Sequence, residues 1–262
     1  MTAYLNDYEP PPPAPLPPKD IHLHTPPEEY DFNFCFEVKE IRSDRVELRP
    51  FVPSLHAQLL ADGISKCDPG MTKWLPRAFD GVEDVLQWAE VTIRSQPSAC
   101  AWAIFTSPAS SETRVNREDY VLAGMISMIN SDVGMMVSEL GWILILEPFQ
   151  RSHVLSHAAG LIIHRILDMP SDGGLGLRRA QWFATSLNEK SKAAALRLGF
   201  SLDGILRAHR VLPKGREGVR PGRKGDYLED QMTRDSWLAS ISWDQWEGGV
   251  RDHVDKLMAR KK

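Results

Sequence analysis

Apolar positions recur along the chain with two different periods, and the switches between them outline an α+β domain. Arg45–Val52 alternates, with Val46, Leu48 and Pro50 on one face, and predicts a strand. An aromatic and apolar run, Asn33–Val38, predicts a short strand before it. Pro53 then opens a helix through Lys66, with Leu55, Leu59, Leu60 and Ile64 at helical spacing. A second helix runs over Val82–Arg94 and buries Val85, Leu86, Ala89 and Ile93. Three strands follow, Ala101–Phe105, Tyr120–Ile129 and Met136–Leu146, separated by the polar stretch Ser107–Asp119 and a turn at Ser131–Gly134. Their meander-like spacing predicts antiparallel pairing. The next helix, Ser152–Leu167, carries Val154, Leu155, Ala158, Leu161, Ile162 and Ile166 as its apolar set. After the loop Pro170–Gly176 come a strand, Arg179–Thr185, and a helix that begins just past Ser186 and stops at Gly199. Strands near Leu202–Leu212 and Trp237–Trp243 complete the sheet, around a polar, glycine-rich insert, Pro213–Arg234. Asp244–Lys262 reads as a frayed amphipathic helix.

Composition divides this pattern into three parts. Residues 1–29 hold nine of the nineteen prolines. Proline removes backbone donors and favours polyproline II, so the arm packs as neither helix nor sheet. It reads as a disordered tail, with an SH3 or WW ligand as the alternative. The folded domain spans 31–246, and 247–262 forms a C-terminal helical tail. Apolar residues make up 42% and charged residues 25%, ordinary for a globular chain. The net charge of −4 leaves no footprint for nucleic acid. No apolar run approaches the roughly 18–20 residues that span a bilayer. Cys35, Cys67 and Cys100 are odd in number and lack CxxC spacing, which predicts reduced thiols, no zinc site and a cytoplasmic setting, the nucleus being the alternative.

The chemistry concentrates in 138–200. An apolar strand, Gly141–Leu146, runs into Glu147-Pro148-Phe149-Gln150-Arg151-Ser152-His153 and then into a helix. Pro148 ends the pairing, and the helix presents its unpaired N–H groups and positive dipole end beyond the strand. Arg151, Ser152 and Ser156 add a charge and two hydroxyls, so a diphosphate fits there.

The segments Ser138–His164 and Leu175–Gly215 resemble the acetyl-CoA-binding core of the GNAT superfamily of N-acetyltransferases, closest to the ribosomal-protein N-terminal acetyltransferases and their relatives. The most specific portion is Leu187-Asn188-Glu189-Lys190-Ser191 leading to Leu198-Gly199-Phe200. More loosely the similarity covers Val46–Trp246. It implies an α+β fold with a mixed, mostly antiparallel central sheet flanked by helices. It also implies that pyrophosphate sits on the backbone N–H groups of Arg151, Ser152, His153, Val154, Leu155 and Ser156. Pantetheine would pair with the backbone of Leu144, Ile145 and Leu146. Asn188 and Ser191 would line the thioester end, though Asn188 could equally cap the following helix. The sequence departs from the family pattern in two places. His153 and Leu155 stand where the phosphate loop commonly has glycine, which reads as a subgroup trait, the alternative being a degenerate, non-catalytic acyl-CoA-binding scaffold. Ala195 stands where many members have an acidic tyrosine, which leaves Ser191 as a donor toward the thiol.

The implied reaction is direct transfer of an acetyl group to an amine in a ternary complex. Glu139, in the Glu-Leu-Gly run, is the candidate base; a structural or substrate-orienting acid is the alternative reading. The region between the first two helices usually forms a substrate wall in this fold, which singles out Trp74. The inserts at Ser107–Asp119 and Pro213–Arg234 would narrow access, favouring a small-molecule amine over a peptide N-terminus. His153 and His157 stand four apart, but no third ligand accompanies them, and no metal is expected. Arg207–Lys224 holds seven basic residues against Glu217; it reads as a solvated hairpin, or as a surface for an acidic substrate or the CoA ribose phosphate.

Overall fold

The computed structural model describes residues 4–12, 15–108 and 116–260. Parts of the proline-rich arm (1–3, 13–14), of the Ser107–Asp119 insert (109–115) and of the tail (261–262) lie outside the described residues.

Eight strands form one sheet, ordered β1-β2-β3-β4-β5-β6-β8-β7. They are β1 (Ile41–Arg42), β2 (Val46–Pro50), β3 (Cys100–Thr106), β4 (Val121–Asp132), β5 (Val137–Ile145), β6 (Arg179–Thr185), β7 (Ser201–Val211) and β8 (Thr233–Ser242). Every pairing is antiparallel except β5 with β6. β3 is buried throughout and β4 over Ala123–Met128, as strands covered on both faces must be. Helices α1 (Pro53–Ser65) and α2 (Val82–Trp88) pack on each other, and α1 also lies on β4. Helix α3 (Val154–Leu167) covers β2, β4, β5 and β6. α4 (Glu189–Arg197) lies against β6; the short α5 (Trp243–Gln245) leads towards α6 (Arg251–Met258), which docks on α3 through the buried Val254 and Leu257.

Local chemistry explains most boundaries. Pro53 opens α1 at a position where a missing N–H costs nothing. Asn188 caps α4, and Gly199, at φ +94°, lets the chain leave it. α2 continues through Arg94 as a wider π-helical turn, Ala89–Arg94.

Two expectations are corrected. Asn33–Val38 forms no strand: Phe34 packs edge-on against Phe36 and Trp102, burying apolar surface without a ladder. The edge of β2 that it would occupy is taken by Ile41–Arg42. In α1 the inward stripe is Pro53, His56, Ala57, Leu60, Ala61 and Ile64, while Leu55 and Leu59 face solvent. The helix is rotated so that His56 Nδ1 accepts a hydrogen bond from the Val52 N–H, which a reading of apolar residues alone misses. The end of the arm runs along α2: Gln87 Nε2 donates to the carbonyls of Pro17 and Pro18, and Lys19 pairs with Glu83.

Candidate active site

The parallel strands β5 and β6 pair only from Val137↔Arg179 to Leu140↔Trp182. Beyond Leu140 they separate. The cause lies in the other edge of β5: its register against β4 slips between Met125↔Leu144 and Ser127↔Gly141, with Trp142 at φ +48°. Such a bulge bends the strand and increases its twist. Just past the bulge, Gly124, at φ +151°, lets β4 lie close against β5, because a Cβ there would run into the Leu144 carbonyl oxygen.

The result is a cleft of about 1010 Å³ between the splayed strands and the Met71–Arg77 segment. Backbone alternation decides what β5 offers to it. The Leu146 N–H is committed to Ala123 and the Leu144 carbonyl faces Gly124. Of the three residues expected to pair with pantetheine, Ile145 therefore turns its peptide groups away from β4. Its carbonyl already accepts from Gln150 Nε2, which leaves its N–H.

At the N-terminus of α3 the left-handed residue is Arg151, at φ +58°, while His153 has ordinary helical angles. The position that commonly carries glycine thus needs no special φ here. His153 turns its ring inward, with Nδ1 2.8 Å from Arg45 and Nε2 3.0 Å from Thr106 Oγ1. Ser152 Oγ accepts from the Val154 N–H, and the buried Ser156 accepts from Arg197. Arg197 is a second cation at this helix end that the sequence did not single out. Leu155 is half-buried and Val154 fully buried.

Asn188 and Ser191 both line the cleft. Asn188 Oδ1 accepts from the Ser191 N–H at 3.1 Å, the capping role. Ser191 Oγ accepts from Trp182 Nε1 at 2.9 Å, so its own proton remains free to donate. Ala195 is fully buried.

Glu139 also faces the cleft, 5% exposed. Asn130 Nδ2 donates to it at 2.6 Å. Burial raises its pKa from 4.5 to about 7, against the opposing pull of Asn130, Arg210 and Arg234. Trp74 stands in the Met71–Arg77 wall, with Lys73 Nζ 4.2 Å above its ring. Lys73 in turn pairs with Glu217 of the insert. Among the other tryptophans, Trp142 and Trp182 line the cleft while Trp88 and Trp102 are core. Among the described residues no group of three His, Cys, Asp or Glu converges on a metal position, and no helix is long and apolar enough to cross a membrane.

A family model described as acetyltransferase (GNAT) domain matches residues 45–201. The chain belongs to the GNAT acetyltransferase family. It is an N-acetyltransferase that draws on acetyl-CoA. The GNAT fold is shared with solved structures. One is a GCN5-related N-acetyltransferase from Brucella melitensis, at TM-score 0.65 and 21% identity, covering 85% of this chain and 86% of that one. Another is the microcin C7 self-immunity acetyltransferase MccE, solved with acetyl-CoA and AMP, at TM-score 0.50 and 19% identity over 76% and 93% of the two chains. A third is a ribosomal-protein-S5-alanine acetyltransferase from Vibrio fischeri, at TM-score 0.51 and 17% identity over 80% and 99%. None of the curated proteins matches the chain in sequence.

Proposed function

We propose that this GNAT domain acetylates a small-molecule primary amine by direct attack in a ternary complex, with Glu139 as the base. The observation that carries the reading is a buried carboxyl, raised to about 7, on the wall of the cleft opened by the β5 bulge. A base works best when its pKa lies near the working pH. Acetyl-CoA supplies an acetyl group already activated as a thioester.

The residues present fit that ligand. The Ile145 N–H is an unclaimed donor beside the gap, suited to an amide of pantetheine. The backbone N–H groups of Arg151–Ser156, with Arg151 and Arg197, suit a pyrophosphate at the α3 N-terminus. Asn188 keeps amide atoms available beyond its cap, and Ser191 donates into the cleft. Glu139, directly or through water, accepts the proton that an ammonium must lose before its nitrogen forms the amide bond. The second proton leaves that nitrogen as the C–S bond breaks and is carried off by the CoA thiol. Trp74 stands on the acceptor side, and Lys73 beside it pairs with Glu217 of the insert, which favours a small amine over a protein N-terminus of the ribosomal type.

The test is release of CoA thiol with a panel of amines and of peptides. Turnover confined to peptides would overturn the small-molecule reading. Absence of any acetyl-CoA-dependent rise in melting temperature, at concentrations well above micromolar, would remove the cofactor site itself.

A further inference from the structure

The acceptor side of the cleft carries an excess of positive charge that the acetyl-transfer chemistry does not use. Register places Glu139 opposite Gln181, Thr185 opposite Ser236 and Arg210 opposite Arg234. Because side chains alternate along a strand, Glu139, Thr185, Arg234 and Arg210 all stand on one face of the sheet, and all four line the cleft. Two arginines directly opposite each other repel, a pairing that sheets ordinarily avoid. Two other cations of the insert are neutralised: Lys214 pairs with Asp230, and Arg220 with Asp235. Arg210 and Arg234 have no carboxylate within salt-bridge distance among the described residues, although their charges act on Glu139. Arg234 Nε and Thr185 Oγ1 are moreover buried polar atoms with no hydrogen-bond partner. Buried polar atoms left unpaired are costly, and these two stand on one face of adjoining strands, two positions apart in register. Arg77 adds a third guanidinium to the wall, this one paired with Asp84 at 3.8 Å. The wall holds no residue of 151–156, so this cationic patch is separate from the α3 N-terminus.

We infer that the acceptor is an anionic amine, whose carboxylate or phosphate is held by Arg210, Arg234 and the Thr185 hydroxyl while its amino group faces Glu139. The inference rests on the small-amine reading above and names the substrate class within it. The guanidinium fork matches both oxyanions, and the threonine hydroxyl completes the donor set. The orphaned Nε and Oγ1 gain partners when the anion binds, and the two facing cations gain a shared counter-charge. A neutral amine would leave both defects in place, which gives the site its discrimination.

Matched pairs test this directly: L-amino acids against their C-terminal amides, and O-phosphoethanolamine against ethanolamine. In each effective pair the anionic member should show kcat/KM at least about tenfold higher, the size expected for losing one charge-assisted hydrogen-bond set. It should also raise the melting temperature of acetyl-CoA-loaded protein where its neutral partner does not. Which pair responds tells carboxylate from phosphate. Arg234→Gln should erase the preference through the acceptor KM, leaving the KM for acetyl-CoA unchanged, and Arg234→Lys should restore part of it. Arg210→Gln, on the exposed edge strand, gives the same readout should Arg234→Gln fail to fold. Equal or better use of the neutral members overturns the inference, as does an effect of Arg234→Gln on acetyl-CoA alone. Stabilisation by acetyl-CoA without response to either anionic class sinks this inference and spares the cofactor site; no stabilisation by acetyl-CoA removes the reading beneath it.

Discussion

Glu139→Gln separates the ionisation of this carboxyl from its shape. The substitution keeps the side-chain volume and an oxygen to accept from Asn130 Nδ2, but it cannot ionise. In the folded protein the carboxyl titrates at about 7, against 4.5 ordinarily. The folded state therefore binds the extra proton between those values, and stability falls as pH rises through that window. Each pH unit of difference is worth about 1.36 kcal/mol, so the full loss is about 3 kcal/mol above pH 7. A glutamine at this position carries no such cost. The stability of Glu139→Gln relative to wild type should thus climb by about 3 kcal/mol between roughly pH 4.5 and pH 7, or roughly 6–12 °C in Tm for a chain of this size. The assay is urea or thermal unfolding of both proteins across that range. Turnover should move the opposite way: wild-type kcat/KM should fall on the acid side with an apparent pKa of about 7, and the variant should lose about 100-fold or more in kcat together with that limb. A stability difference that stays flat with pH would refute the raised pKa. A pH-dependent difference with unchanged turnover would keep the burial argument and remove Glu139 as base.

Three further substitutions probe the architecture. Asn188→Ala should cost about 1 kcal/mol through loss of the α4 cap and raise the KM for acetyl-CoA; Asn188→Ser should recover the stability, and recovery of KM as well would assign Asn188 to capping alone. Gly124→Ala should destabilise by more than about 3 kcal/mol, read by chemical unfolding, because the Cβ meets the Leu144 carbonyl at a φ of +151°. Near-wild-type stability there would contradict the close approach of β4 to β5 at Gly124. Trp74→Ala should raise the acceptor KM and spare that of acetyl-CoA, measured by steady-state kinetics with each substrate varied in turn; the reverse pattern would move Trp74 out of the acceptor wall.

The residues that only folding reveals share a physical trait. Asn130 is nine residues from Glu139 in sequence and touches it through a hairpin. Arg197 reaches Ser156 across forty-one residues, and Arg210 meets Arg234 across the insert. Each is an ordinary polar residue on its own element, and register alone gives it meaning. The basic excess of Arg207–Lys224 was visible in the sequence, but pairing with Asp230 and Asp235 decides which of its cations stay free.

Local information carried β2 to β8, the α3 and α4 helices and the Asn188 cap, because period, proline, glycine and capping residues act within a few positions. It also pointed to 138–200 as the cofactor segment, since a strand running into a helix N-terminus is a contiguous motif. The tertiary structure decided the rest. The sheet's splay depends on a slip of register between β4 and β5. The raised pKa of Glu139 depends on the depth at which neighbouring strands bury it. The inward turn of His153 depends on Arg45 and Thr106, more than forty residues away. These are properties of distance and dielectric between segments, which no single stretch of sequence contains.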